Sequence, residues 1–276
     1  FRNDWERHAS LRLRLGNADA IDAYIDHDRV AGGEHDEMLD TAYQAWSRDL
    51  RAGRTSVLIA ETIETVTGLN ERARSDRILA GLVADGGVRL HDGTRAATGD
   101  VVITRRNDRR LALGRGWVKN NDRWIVTDTH DDGSLTVRRE RSRWRSTITL
   151  PAGYAAEHVD LGYAITAHRA QGATVDTAHA LVASPQKTRE ALYVALTRGR
   201  DANSAYVVTD QHHLEQHQHR DDLQNTARSI LYGILQHTGA ELSAHETITA
   251  EQDECASIRQ LASEYETLAQ TAQHDR

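Results

Sequence analysis

The sequence predicts an α/β fold: a parallel sheet with helices on both faces, interrupted by a small inserted β-barrel and followed by a helical tail. Three observations predict it. Short continuous apolar runs such as residues 55–60 stand between amphipathic helical stretches, the pattern of strands buried on both faces. Between residues 88 and 152 that rhythm gives way to five short strands separated by Asp, Asn and Gly turns. After Asp210 the chain turns polar, with apolar residues at helical spacing.

The elements follow in order. Residues 3–15 start as a helix carrying Trp5, Ala9, Leu11, Leu13 and Leu15. Residues 17–25 form a second, with Asn17 as N-cap and Ala18, Ile21 and Ile25 on one side. Gly32-Gly33 breaks the chain, and Asp36 caps a helix whose stripe is Leu39, Ala42, Tyr43, Trp46 and Leu50. Gly53 ends it. Residues 55–60 are the first buried strand, and residues 63–83 a helix that Asp85-Gly86-Gly87 stops. The inserted strands are residues 88–90, 100–104, 123–127, 134–138 and 146–150. Strands at 162–166, 178–182 and 205–209 and a helix at 188–196 restore the α/β rhythm. The stripes Leu223/Ile230/Leu231/Ile234 and Ile258/Leu261/Leu268 mark the tail as helical.

Composition narrows the function. The single cysteine, Cys255, excludes a disulfide framework and a Cys-based zinc site, and fits a reducing cytosol. No apolar run approaches the ~18 residues of a membrane helix and no signal-peptide pattern opens the chain, so a cytoplasmic location is expected. The start at Phe1, without Met, reads as a piece of a longer protein. The net charge of −7 excludes a uniformly basic nucleic-acid binder, yet charge is polarised. Residues 93–145 hold 13 Lys/Arg against 7 Asp/Glu, whereas residues 211–276 hold 4 against 11, so the two regions present different surfaces to different partners. Only Lys119 and Lys187 are lysines; every other cation is arginine.

Two stretches carry the chemistry. Residues 162–176 read Gly-Tyr-Ala-Ile-Thr-Ala-His-Arg-Ala-Gln-Gly-Ala-Thr-Val-Asp. As strand then loop, they bring Thr166, His168, Arg169 and Gln171 out at a strand's C-terminal end, where α/β sheets bind ligands. Hydroxyl, amide and guanidinium donors suit a phosphodiester backbone, and Gly172 permits close approach or positive φ. The same residues also serve a plain strand cap. Residues 191–201, Ala-Leu-Tyr-Val-Ala-Leu-Thr-Arg-Gly-Arg-Asp, end a short helix on Arg198, placed either to complement the helix dipole or to reach an anion on a facing domain.

Together the stretches resemble motifs V and VI of superfamily 1 helicases of the RecD-like branch. Residues 57–74, Val-Leu-Ile-Ala-Glu-Thr-Ile-Glu-Thr-Val-Thr-Gly-Leu-Asn-Glu-Arg-Ala-Arg, resemble the conserved strand and helix of the second motor domain. Residues 4–14 and 99–107 resemble the helicase half of conjugative relaxase–helicases of the TrwC/TraA type. The resemblance runs over most of residues 1–210. It implies a discontinuous RecA-like second motor domain over residues 1–87 and 153–210, an SH3-like barrel over 88–152 and an acidic tail or linker over 211–276. It also implies that motif V, with Thr166, His168, Arg169, Gln171 and Thr174, contacts single-stranded DNA and couples it to the nucleotide. Gly172, Arg198 and Arg200 are then expected on the nucleotide side, with Arg198 on the γ-phosphate. The motif IV arginine is Arg2 or the residue before Phe1. Many relatives are acidic where Thr174 stands, so a ribose contact does not carry over to it.

What the sequence lacks bounds what the chain does alone. A P-loop needs Gly-x-x-x-x-Gly-Lys-Ser/Thr, whose Lys reaches the β/γ-phosphates and whose hydroxyl holds Mg²⁺. Lys187 is followed by Thr but preceded by Gln186, Lys119 is followed by Asn, and no apolar run ends in Asp-Glu. ATP with Mg²⁺ is therefore expected on a first motor domain outside this chain, and a relaxase domain is a further possible partner on the same parent chain. Arg105, Arg106, Arg109 and Arg110 with Trp117, Trp124 and Trp144 combine cations and stacking surfaces suited to single strands, or fill and coat a small barrel. His212, His213, His217 and His219 lack the carboxylate or Cys spacing of a metal site, and no metal is expected. Two alternatives stay open: a RecD-like repair helicase half, and a non-catalytic DNA-binding or regulatory module on a degenerate motor domain.

Overall fold

The computed structural model describes residues 1–114, 116–140, 146–209 and 220–239. Trp144, the four-histidine cluster and the Ile258/Leu261/Leu268 stripe lie outside them. The chain opens with α1 (Asp4–Arg14), α2 (Asp19–Asp26), β1 (Val30–Gly33), α3 (His35–Arg51), β2 (Ser56–Ala60) and α4 (Ile63–Leu79). Next come β3 (Val88–Arg89), β4 (Arg95–Ala96), β5 (Val101–Thr104), β6 (Asp108–Leu113), β7 (Gly116–Val118), β8 (Arg123–Thr129), β9 (Leu135–Arg139) and β10 (Thr147–Leu150). The remainder is α5 (Ala152–His158), β11 (Val159–Leu161), β12 (Ala164–Thr166), α6 (Ala167–Ala170), β13 (Val175–Val182), α7 (Arg189–Ala195), β14 (Gly199–Val208) and α8 (Arg220–Gln236).

Five strands form an all-parallel sheet in the order β1-β14-β13-β2-β12. Strand β2 shows why helices must cover both faces. Its side chains alternate across the sheet. Leu58 and Ala60 join one core with Met38, Trp46 and Leu69 of α3 and α4. Val57 and Ile59 join the other with Leu13, Tyr24, Leu192 and Leu231 of α1, α2, α7 and α8. Every residue of β2 is buried, and each large aliphatic so buried contributes about 1.5–3 kcal/mol.

The second layer is a five-stranded antiparallel sheet, β10-β9-β8-β5-β11, flanked by the hairpins β3-β4 and β6-β7. Each inserted strand expected from the sequence coincides with one observed. Residues 88–90, however, pair in a separate hairpin, and the sheet's fifth strand is β11. Strands β4, β6, β7 and β11 and helices α5 and α6 were not expected; they are two to seven residues long, α6 standing where a loop was expected after residue 166, and β6 exposes Arg109 and Arg110 where alternation would need apolar groups.

Three local expectations are corrected. The N-cap of α2 is Ala18 and not Asn17, whose Oδ1 instead accepts Asp19 N at the helix start. Gly32-Gly33 does not break the chain but closes the edge strand β1. With no side chains the pair shows no alternation, and the strand is held instead by pairing with Ala205–Val208 and by Thr209 donating its N–H and Oγ1 to Gly33 O. Asp36 does not cap α3: the N-cap residue is Glu34, and Asp36 lies in the first turn, where its charge meets the positive end of the helix.

The two sheets meet at a short join. Only Gly162 and Tyr163 separate β11 in the antiparallel sheet from β12 in the parallel one. Gly162 N donates to Val101 O at 2.8 Å, and a Cβ on Gly162 would lie 3.2 Å from the Val102 carbonyl carbon. Tyr163 Oη donates to Asp100 Oδ1 at 2.6 Å. From α4, the buried Asn70 accepts Tyr163 N and Ala164 N on Oδ1, at 3.1 and 2.8 Å, and donates Nδ2 to Ala164 O at 3.1 Å.

Candidate nucleotide and DNA interface

Threonines open the helices that follow β2, β12 and β13. Thr166 Oγ1 accepts from Arg169 N, Thr62 Oγ1 from Thr65 N and Thr188 Oγ1 from Ala191 N, each satisfying a donor that a helix start leaves free. Thr166 and His168 line a cavity at the C-terminal ends of β2, β12 and β13, together with Glu61, Ser184, Gln186 and Lys187.

The remaining residues of the first stretch do not join them there. Arg169 is turned to Asp160, a buried carboxylate of β11 that also faces His91 Nδ1 at 3.3 Å and Arg105 Nε at 3.6 Å. Gln171 is exposed. After α6 the chain crosses back to the start of β13, so Gly172 and Thr174 lie at the opposite edge of the sheet. There they line a second cavity with Asn121, Asp122, Arg123, Arg139 and Glu140 of the antiparallel layer. Gly172 has φ 84°, and a Cβ would meet nothing within 4 Å, so conformation rather than space calls for glycine. Thr166 and His168 thus lie at one end of the sheet and Gly172 and Thr174 at the other, while Arg169 and Gln171 line neither cavity.

At this second edge the stretches meet. Val175 N donates to Arg198 O at 3.1 Å, and Arg200 pairs with Asp176. Burial raises the Asp176 carboxyl, but the Arg200 hydrogen bond and those from Thr55 outweigh it and hold the pKa down to about 2. A carboxyl depressed in the fold contributes stability above its unfolded value, and that contribution is lost as pH falls through the folded one. Wild type should therefore lose stability relative to Asp176→Asn as pH falls from about 4 to about 2; parallel urea melts with a constant difference across that window would refute it.

Arg198 differs from its neighbours. Packing of Leu192, Ala195 and Leu196 fixes the end of α7. Arg198 donates Nε to Val194 O at 2.8 Å and Nη2 to Thr197 Oγ1 at 2.6 Å. Arg2 pairs with Asp201, Arg169 with Asp160 and Arg200 with Asp176, but among the described residues Arg198 has no carboxylate partner. Burial pushes the pKa of this guanidinium down, the mark of a cation held partly out of water.

The backbone beside it is fixed by residues that sequence reasoning missed. Gly199 N donates to Asn203 Oδ1 at 2.6 Å, and Asn203 donates N and Nδ2 to Glu6 Oε1 at 2.9 and 2.8 Å. Glu6 is fully buried on α1, and burial raises its carboxyl pKa. The available signal was a glutamate one residue after Trp5, on the turn that carries Ala9 and Leu13 inward. A Cβ on Gly199 would lie 2.1 Å from Ala202 O, so this turn excludes any side chain. Arg2 N also donates to Arg200 O at 2.7 Å, which places Arg2 beside the second stretch.

On the antiparallel layer Arg106, Arg109 and Arg110 are exposed. Arg110 pairs with Asp108, and Arg106 Nη1 meets His158 Nε2 at 3.1 Å. Trp124 is fully buried and donates Nε1 to Thr104 Oγ1, so it is core and offers no stacking face. Trp117 is partly exposed, with Arg109 and Lys119 over its ring at 5.5 and 5.3 Å. Among the described residues no group of His, Cys, Asp and Glu could hold a metal, and no helix is long and apolar enough to cross a membrane.

The sheet order, the helices on both faces and the second layer define an α/β domain with a parallel sheet joined to an antiparallel one. Over about three quarters of its length the chain is similar to TraA-type conjugal transfer proteins. It is 32% identical over 209 residues to the conjugal transfer protein TraA of Agrobacterium fabrum, covering 74% of this chain and 18% of that protein. It is 35% identical over 132 residues to the multifunctional conjugation protein TraI of Escherichia coli K12, covering 45% and 7%. The chain thus spans less than a fifth of the length of these relatives. Among solved structures it resembles Bacteroides Pif1 helicase in complex with ADP-AlF3 and ssDNA, at 19% identity and TM-score 0.34, over 58% of this chain and 42% of that one. No protein-family model matches.

Proposed function

We propose that the chain is the second motor domain of an ATP-dependent DNA helicase within a conjugative relaxase–helicase that nicks and unwinds plasmid DNA for transfer in the cytoplasm. The observation that carries this reading is Arg198: a partly desolvated guanidinium without a carboxylate partner among the described residues, on a turn where both stretches meet. Such a group suits the charge that builds on a transferring phosphoryl, the role of an arginine finger. The names of the similar TraA and TraI proteins support the conjugative setting. ATP is held by a P-loop domain elsewhere in the parent protein, with Mg²⁺ neutralising phosphate charge there. Arg200 and Gly172 flank Arg198 on the nucleotide side, and Arg2 is the motif IV arginine. Thr166, His168 and Gln171 contact single-stranded DNA, with Arg169 and Thr174 extending that contact towards Arg105 and Arg106 within residues 88–152, an SH3-like insert. Residues 211–276 link this domain to a further one or dock a partner.

The isolated 276-residue chain should bind single-stranded DNA with an affinity that falls as salt rises, and turn over no ATP with or without DNA. Robust ATP turnover by the purified chain, unaffected by Arg198→Ala, would sink this reading.

A further inference from the structure

The cavity beside Thr166 and His168 contains a cation that the reading above does not use. Lys187 lies between β13 and α7, one of only two lysines in the chain. Its side chain is 4% exposed, and Nζ donates to Glu61 Oε1 at 3.2 Å. That same oxygen accepts Ala183 N at 3.2 Å, so Glu61 is anchored to the end of β13 independently of the lysine. An ammonium has three donors, and the bond to Glu61 uses one. Lys187 and Glu61 both line the cavity, along with Thr166, His168, Ser184 and Gln186. The site therefore combines a desolvated cation with spare donors, neutral hydroxyl and amide groups, and one carboxylate already bound to backbone. It lies at the C-terminal ends of three parallel strands.

Resting on the DNA-binding reading above, we propose that Lys187 is a phosphodiester contact for single-stranded DNA, held by Glu61 until the strand arrives. A phosphate oxygen entering the cavity takes the spare ammonium donors and supplies a second negative charge. Lys187 is then shared between carboxylate and phosphate, while Glu61 keeps its bond to Ala183 N. Glu61 sets the strength of this contact because it competes with the phosphate for one cation.

The test uses the full 276-residue chain, a dT16 oligonucleotide and, separately, inorganic phosphate, with affinity measured across a salt series. Removing Lys187 alone would strand the Glu61 charge, so the pair is replaced together. Glu61→Gln with Lys187→Met keeps an acceptor for Ala183 N and fills the volume of the lysine stem. This double variant should keep its circular dichroism and bind dT16 more weakly, with the log–log salt slope shallower by about 0.7, one phosphate contact on a single strand. Glu61→Gln alone leaves the Lys187 ammonium an amide oxygen but no counter-charge; where its circular dichroism is kept, it should bind dT16 about three- to tenfold tighter, because the charge-assisted bond to phosphate meets no competing anion. A folded double variant with unchanged slope and affinity makes Lys187 a structural ion-pair partner and overturns the proposal. Should the double variant fail to fold, Glu61→Gln decides alone, and an affinity no tighter than wild type overturns it. Inorganic phosphate bound at millimolar concentration with no change in dT16 binding overturns the assignment to a strand. A wild-type chain that binds no dT16 at any salt removes the DNA-binding reading itself, an outcome distinct from the other three.

Discussion

Replacing Arg198 with Ala in the parent enzyme, P-loop domain included, should lower DNA-stimulated ATP turnover by about 10³-fold or more, the usual scale for an arginine finger. Single-strand affinity without nucleotide should stay within about threefold, because one phosphate contact at most is at stake. The expectation rests on the two bonds Arg198 makes, to Val194 O and Thr197 Oγ1, both on its own helix end. Neither neutralises the guanidinium, and burial has already removed part of its water. A residue placed only for the helix dipole would contribute about 0.3–1 kcal/mol to stability and nothing specific to turnover. Arg198→Lys separates the cases further: lysine keeps the charge but loses the planar fork, so a finger remains strongly impaired while a dipole partner is restored. Measured kcat for the two variants, beside their melting temperatures, decides. Turnover within tenfold of wild type for Arg198→Ala would remove Arg198 from the chemistry.

The largest stability effect is expected at Asn70. Its Oδ1 accepts two backbone N–H groups and its Nδ2 donates to a backbone carbonyl, all in a buried site. Asn70→Ala leaves Tyr163 N and Ala164 N without that acceptor, at about 1–3 kcal/mol for each orphaned buried donor. A total of about 3 kcal/mol follows, read as a lower urea midpoint with an unchanged m-value. Asn70→Asp keeps the acceptor but buries a charge and loses the donor, so it should not rescue. A loss below about 0.5 kcal/mol, the ordinary scale of a surface substitution, would show that the segment holds its geometry without Asn70.

The parallel layer was legible because its signals are local. Residues 55–60 form a continuous apolar run, and the stripes on α3 and α4 repeat at helical spacing. The strands 100–104, 123–127 and 134–138 were legible for the same reason, as short apolar or alternating runs bounded by Asp, Asn and Gly turns. The edge strand at Gly32-Gly33 was not, because its evidence is pairing with β14, about 170 residues later in the chain. The candidate site divides along the same line. Thr166, His168 and Arg198 stand in recognisable runs, but which arginine has a carboxylate depends on contacts between distant segments. Arg169 and Arg105 look equally available in sequence, and both face Asp160. Glu6, Asn70 and Lys187 were missed because a polar residue on an apolar helix stripe or in a loop carries no visible partner until the fold supplies one.

The two-residue join between the sheets has a mechanical meaning. Gly162 and Tyr163 span about 7 Å at full extension, so there is no slack between the antiparallel layer and the strand that ends at Thr166. Both residues are bonded to the insert or to α4. The connection therefore behaves as a strut rather than a tether. A load on the antiparallel layer displaces Thr166 directly, and a shift of Thr166 pulls on β11 and, through it, on Asp160 with its arginines. Lengthening the join by three or four glycines would make the linkage compliant: both layers would stay folded, and tension would no longer pass between them.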